Sequence, residues 1–140
     1  MQQAITDLLK EMGLEEEIFS IGLQFDIGTG GKRLSEGQRQ RIILARGLLK
    51  GADLLIVNRG LNALDQRTQE RLIKKVLARA AHARTAGGSG HKFGLLWVLT
   101  APHLAQYFNR VMVFDRQRLK SYGDPRALQQ EDETYRTLVS

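Results

Sequence analysis

Apolar residues at Ala4, Ile5, Leu8, Leu9 and Met12 recur at three- and four-residue spacing, which predicts an amphipathic helix over about residues 3–12, stopped by Gly13. Residues 14–19 read as a short acidic helix or turn. Residues 21–33 form a glycine-rich loop, with a short extended piece at 23–27. Ser35 followed three residues later by Gln38 is a capping box, so a helix starts at Glu36, with Ile42, Ala45 and Leu49 on its apolar stripe and Gly51 past its end. Leu54, Leu55, Ile56 and Val57 are continuously apolar, the pattern of a strand covered on both faces.

Residues 58–65 read as a loop, and a long helix over about 66–84 turns Leu72, Ile73, Val76, Leu77 and Ala80 inward. A surface turn over 84–94 leads to a second buried strand at 95–99, in which Trp97 is a core residue. A loop and short helix over 100–109 precede a third strand at 111–114 and a hairpin-like turn into 119–122. Pro125 opens a final helix over about 125–139. This order of helices and strands predicts an α/β domain with right-handed crossovers and a mostly parallel sheet of few strands.

Composition narrows the function classes. In 140 residues, 42% are hydrophobic, enough for a core. The absence of cysteine excludes disulfides and thiolate metal sites. No apolar run is long enough to span a bilayer, and Met1-Gln2-Gln3 does not open a signal peptide, so a soluble cytoplasmic domain is expected. The net charge of +6 is scattered rather than blocked, which fits a solvated basic surface. His82 reads as a helix-surface residue and His91 as a loop residue.

Two stretches carry chemistry. Gly30-Gly31-Lys32 imitates a phosphate loop, but Asp26 and Arg33 stand where the Walker A pattern needs Gly and Ser or Thr. The helix start at Glu36 is the stronger candidate. Its free N–H groups and partial positive charge suit a phosphate, and Gly37 permits close approach to the backbone.

The stretch LSEGQRQRIILARGLL, residues 34–49, resembles the signature motif and helix of the ATP-binding-cassette ATPases. LLIVNRGLNALD, residues 54–65, is similar to their Walker B strand and D-loop. GLQFDIGTGGKR, residues 22–33, resembles the segment before the signature in exporter-type members, and residues 108–113 the strand after the switch loop. The resemblance implies a partial P-loop NTPase fold. Residues 1–140 would be the C-terminal part of a nucleotide-binding domain, with about 1–50 the helical and signature region and about 51–140 part of the ATPase core.

By that resemblance Ser35, Glu36, Gly37 and Gln38 would cap the γ-phosphate of ATP held by another subunit, and Asn62, Ala63, Leu64 and Asp65 would form an interface D-loop. Asn58 and Arg59 stand where the family has the Mg²⁺-holding Asp and the water-positioning Glu. Asn lacks the charge a hard cation needs, and Arg cannot accept a proton. The switch histidine is replaced by Ala101, leaving His103 two residues on as its possible substitute. No metal site belongs to the chain alone, which is expected to be inactive. ATP and Mg²⁺ would be bound only in a complete dimeric assembly.

The implied partners are another nucleotide-binding domain, as homo- or heterodimer, and a transporter's transmembrane domain at the inner face of a membrane, with no specific nucleic acid. Two other functions compete: a non-catalytic dimerisation or regulatory module, and a nucleic-acid-associated ATPase of the same superfamily, favoured by the positive charge and Lys74-Lys75 but opposed by the exporter-like segment.

Overall fold

A computed structural model describes residues 2–24, 26–85 and 93–140. Two units are separately packed, residues 1–98 and residues 99–140.

The first unit begins with helices α1 (Gln2–Glu11) and α2 (Glu15–Ile21), joined through Gly13 in the left-handed conformation at φ 76°. The extended piece expected at 23–27 does not form a strand among its described residues; Phe25 lies outside them. Instead the loop bends, with Asp26 accepting from the N–H of Gly28 at 2.9 Å and pairing with Arg33 at 3.3 Å. Helix α3 (Glu36–Leu49) starts where the capping box predicts. Its buried stripe differs from the expected one: Leu44 and Ala45 are buried, while Leu49 is 46% exposed. Close packing at Gly47 accompanies this rotation, since a Cβ there would come 2.9 Å from Leu55 Cδ1.

Strand β1 (Leu54–Asn58) pairs in parallel with β2 (Gly94–Val98), Val57 opposite Trp97. Alternation then decides what is covered. Val57 is buried and Leu55, Leu95 and Trp97 are half-buried, all packing against a core built from Leu8, Met12, Leu44, Leu72 and Val76. This supports Trp97 as a core residue. The opposite face carries Leu54, Ile56, Leu96 and Val98 and is exposed, Ile56 by 57%. The expectation of a strand covered on both faces therefore fails among the described residues. A continuous apolar run specifies two apolar faces, but helices α1, α3 and α4 (Gln66–Thr85) contribute the packing on one face alone. Lys75 Nζ donates to the carbonyl of Glu11 at 2.8 Å and Arg79 pairs with its carboxylate at 2.9 Å, fastening α4 to the end of α1. The turn expected over 84–94 lies largely outside the described residues, as does His91.

The second unit opens with a 3₁₀ turn over Pro102–Tyr107 and continues as a hairpin, β3 (Val111–Asp115) antiparallel to β4 (Arg118–Gly123). The described sheets are thus one parallel and one antiparallel pair, not a mostly parallel sheet. Arg116 and Gln117, with φ of 44° and 63°, supply the left-handed turn that suits a two-residue hairpin. The expected final helix is divided at Asp132 into α5 (Pro125–Glu131) and α6 (Glu133–Val139).

Asp132 divides the helix because its backbone is extended and its carboxylate is occupied. One oxygen accepts from the N–H of Tyr135 at 2.8 Å, the other from buried Ser121 Oγ at 2.6 Å. Donation from Ser121 and then from Tyr135 holds its pKa below the usual 3.8. The folded state therefore favours the ionised form, and the contribution is complete above pH 3.8 and lost as pH falls below it. Asp132→Ala should lower the thermal midpoint of the second unit at neutral pH. The gap between variant and parent should close as the pH drops through that acidic range, measured by circular dichroism.

Candidate functional site

The start of α3 is organised around Ser35. With extended backbone (φ −62°, ψ 158°), its Oγ accepts from the N–H of Gln38 at 3.2 Å, and Gln38 Oε1 accepts from the N–H of Ser35 at 2.8 Å. The N–H of Arg39 already reaches the carbonyl of Ser35 at 2.9 Å. Among the described residues this leaves the N–H groups of Glu36 and Gly37 without an acceptor. Two free donors at the positive end of a 14-residue helix suit an anionic oxygen.

Glu36 places a carboxylate beside those donors, but its charge is directed along the helix. It forms an ion pair with Arg39, and its Oε1 accepts from Gln40 Nε2 at 3.1 Å. Glu17 of α2 supports the same turn from the side. Its Oε1 accepts from Gln38 Nε2 at 3.1 Å and pairs with Arg41 at 3.3 Å. Arg41 is 14% exposed and also donates to the carbonyls of Gly13 and Gly37, tying α1 and α2 to α3.

The turn after β1 lies against this helix start. Asn58 ends the strand. Arg59 follows at φ 52°, its N–H donating to the carbonyl of Val98 at 3.1 Å, and its exposed guanidinium has no ion-pair partner among the described residues. Leu61, at φ 71°, is fully buried. Asp65 caps α4 by accepting from the N–H of Thr68 at 3.0 Å. Donation first from the Thr68 side chain and then from its backbone depresses the Asp65 pKa.

Two contacts join turn and helix. Leu64 presses on Gly37, where a Cβ would stand 2.6 Å from Leu64 Cδ2, so the glycine already admits a side chain of this same chain. Gln40 donates to Asn62 Oδ1 at 2.6 Å and accepts from the N–H of Ala63 at 3.1 Å. Gln40, Asn58 and Arg59 also line one cleft of about 340 Å³, whose remaining wall includes Ile43, Leu44 and Ile56.

The structure therefore brings Ser35, Glu36, Gly37 and Gln38 together with Asn62, Ala63 and Leu64. Ala101 and His103 lie in the second unit, Ala101 preceding the 3₁₀ turn and His103 half-buried within it. His82 belongs to α4. Among the described residues no group of three or more His, Asp or Glu is placed to hold a metal. Sequence reasoning missed Glu17 and Gln40. Both are polar residues whose partners lie more than twenty positions away, at Gln38 and Asn62, and local spacing carries no signal for such pairs.

No protein-family model matches the chain. It is 35% identical over 119 residues, 85% of its length, to an ATP-dependent lipid A-core flippase of Xylella fastidiosa (strain Temecula1). It is 31% identical over 140 residues, 99% of its length, to the flippase of the same description from Bordetella avium (strain 197N). It covers 18% and 22% of these two proteins, so it spans about a fifth of the length of the curated relatives it matches. Among solved structures, a bacterial Atm1-family ABC exporter with ATP bound is similar in fold, with a TM-score of 0.76 at 22% identity, covering 99% of this chain and 23% of the exporter chain. No helix among the described residues is long and apolar enough to cross a membrane.

Proposed function

This chain is an exporter-like ATP-binding-cassette domain in part, and we propose from that premise that it supplies one half of an ATP site whose other half belongs to a second nucleotide-binding domain. The observation that carries the proposal is the pair of unspent N–H groups at Glu36 and Gly37, offered by a capped helix start. A γ-phosphate brought by the other domain would accept from them, and Ser35 and Gln38 would hold the turn in shape. ATP supplies the charge that draws the two surfaces together, and Mg²⁺ would be held by the partner's own residues.

The chain's own catalytic positions support a degenerate half-site. At Asn58 and Arg59 there is neither an anionic metal ligand nor a proton acceptor. The unmatched Arg59 guanidinium adds positive charge at the end of β1. The assembly would serve a transporter, the second nucleotide-binding domain being this chain's direct partner and the membrane domain lying beyond it.

Mixing tests this. The chain alone should turn over no ATP. With a lipid A-core flippase nucleotide-binding domain that has an intact phosphate loop, it should associate in ATP and Mg²⁺ but not in ADP, as followed by analytical ultracentrifugation. Ser35→Arg should abolish the ATP-dependent part. Turnover by the chain alone would overturn the degenerate half-site. Association indifferent to nucleotide and to Ser35→Arg would favour a non-catalytic interaction module instead.

A further inference from the structure

We propose that Gln40 is the positioning residue that locks the helix start and the turn over 62–65 into one recognition surface, so that both meet the second domain in a fixed register. The inference deepens the shared-site reading and rests on it.

Gln40 lies one helical turn inside α3, and its amide makes three bonds. Nε2 donates to Asn62 Oδ1 at 2.6 Å and to Glu36 Oε1 at 3.1 Å, and Oε1 accepts from the N–H of Ala63 at 3.1 Å. The arrangement needs a donor and an acceptor on one planar group, which a primary amide has and a hydrocarbon or ammonium side chain lacks.

Both ends of this bridge are fixed independently. On the helix side, Glu36 is held by Arg39, and the cap by Ser35 with Gln38. On the turn side, the N–H of Leu64 reaches the carbonyl of Leu61 at 3.0 Å, and Gln69 Nε2 donates to the carbonyl of Leu64 at 2.7 Å. Leu64 then closes on Gly37. The turn has no regular ladder of its own, so without Gln40 the N–H of Ala63 faces solvent and the residues at 62 and 63 sample other conformations. A surface that must fit a nucleotide and a protein at once loses affinity when part of it has to be ordered on binding. Gln40 would therefore act through Asn62 and Ala63 without touching the nucleotide.

The test uses two variants of the full chain. Gln40→Met keeps the length and helix preference of the side chain and removes the amide. Gln40→Glu, made together with Glu36→Gln so that two carboxylates do not meet where Gln40 Nε2 donates to Glu36 Oε1, keeps an acceptor for the N–H of Ala63 and, with Asn62 rotated to donate, a partner for Asn62. Amide exchange at Ala63 should quicken about tenfold in Gln40→Met, as expected for a lost hydrogen bond, and return most of the way towards the parent rate in the paired variant. The ATP concentration for half-maximal association with the flippase nucleotide-binding domain should rise several-fold in Gln40→Met and recover in the paired variant, with the thermal midpoint little changed.

Unchanged Ala63 exchange in Gln40→Met would overturn the coupling. Faster exchange with an unchanged ATP requirement would overturn the positioning role. If the unaltered chain shows no ATP-dependent association, the shared-site reading fails and with it the positioning role. The exchange measurement then decides on its own whether Gln40 couples helix and turn.

Discussion

Leu61→Ala will weaken the first unit by about 2–5 kcal/mol, the range for removing a fully buried leucine side chain when the surroundings cannot collapse into the space. Leu61 has no exposed surface and belongs to the cluster of Leu8, Met12, Leu44, Leu72 and Val76 that covers one face of the β1–β2 pair. Its backbone at φ 71° makes the case unusual. A branched side chain in the left-handed region costs on the order of 1–3 kcal/mol, and the burial of Leu61 offsets that cost. Alanine keeps the backbone cost and loses the burial. Glycine loses a little more side chain but relieves the backbone, at an entropic cost of about 0.5–1 kcal/mol. Leu61→Gly should therefore be no worse than Leu61→Ala, against the usual order. Trp97, the single tryptophan, packs on the same cluster and reports the transition in urea. The midpoint should fall by on the order of 1–3 M, given typical denaturant slopes. A glycine variant far less stable than the alanine variant would refute the left-handed assignment.

What the sequence made legible follows from how local each determinant is. The capping box needs two residues three apart, and both of its bonds form between Ser35 and Gln38. Helix α4 has a clean stripe, so Leu72, Ile73 and Val76 are buried as their spacing predicts. Helix α3 has apolar residues around much of its circumference, Ile42, Ile43, Leu44, Ala45, Leu48 and Leu49, so no single stripe stands out. Its rotation is set by Gly47 meeting Leu55 and by Gly37 meeting Leu64, contacts between distant positions. The break at Asp132 was hidden for a related reason. Its cap on Tyr135 is local, but the bond that engages its other oxygen comes from Ser121, on the preceding strand.

The site shows the same division. Gly37 was legible as a place of close approach, and the structure adds that Leu64 already occupies part of the approach. The helix start proposed to meet a phosphate and the turn over 62–65 are thus mechanically joined within the chain itself. A change in either should be felt by the other. The charge of Glu36, which by itself would repel a phosphate, is drawn off by Arg39 and Gln40 along the helix.

The largest gain of function should come from Asn58→Asp combined with Arg59→Glu. Under the proposed function the helix start at Ser35–Gln38 would serve a partner's nucleotide, whereas residues 58 and 59 would serve a nucleotide held by their own domain. The fitting vehicle is therefore a chimera in which the chain replaces the corresponding part of a lipid A-core flippase nucleotide-binding domain. With Asn58 and Arg59 retained, that chimera should bind ATP poorly with Mg²⁺ and turn it over at background rate. Aspartate at 58 restores an anionic oxygen for a hard cation. Glutamate at 59 restores a proton acceptor, a role that contributes about 10²–10⁴-fold where it is positioned. The backbone favours the exchange: residue 59 is exposed, its N–H is fixed to the carbonyl of Val98 at 3.1 Å, and its side chain leaves no ion pair behind among the described residues. Turnover by the doubly changed chimera should rise by about two orders of magnitude or more. Asn58→Asp alone should improve Mg²⁺-dependent ATP binding with little turnover, which separates the metal from the base. If neither binding nor turnover rises, Asn58 and Arg59 are not what would keep the proposed half-site silent. If binding rises and turnover does not, the defect lies with the next missing group, and Ala101→His in the same chimera should then release it.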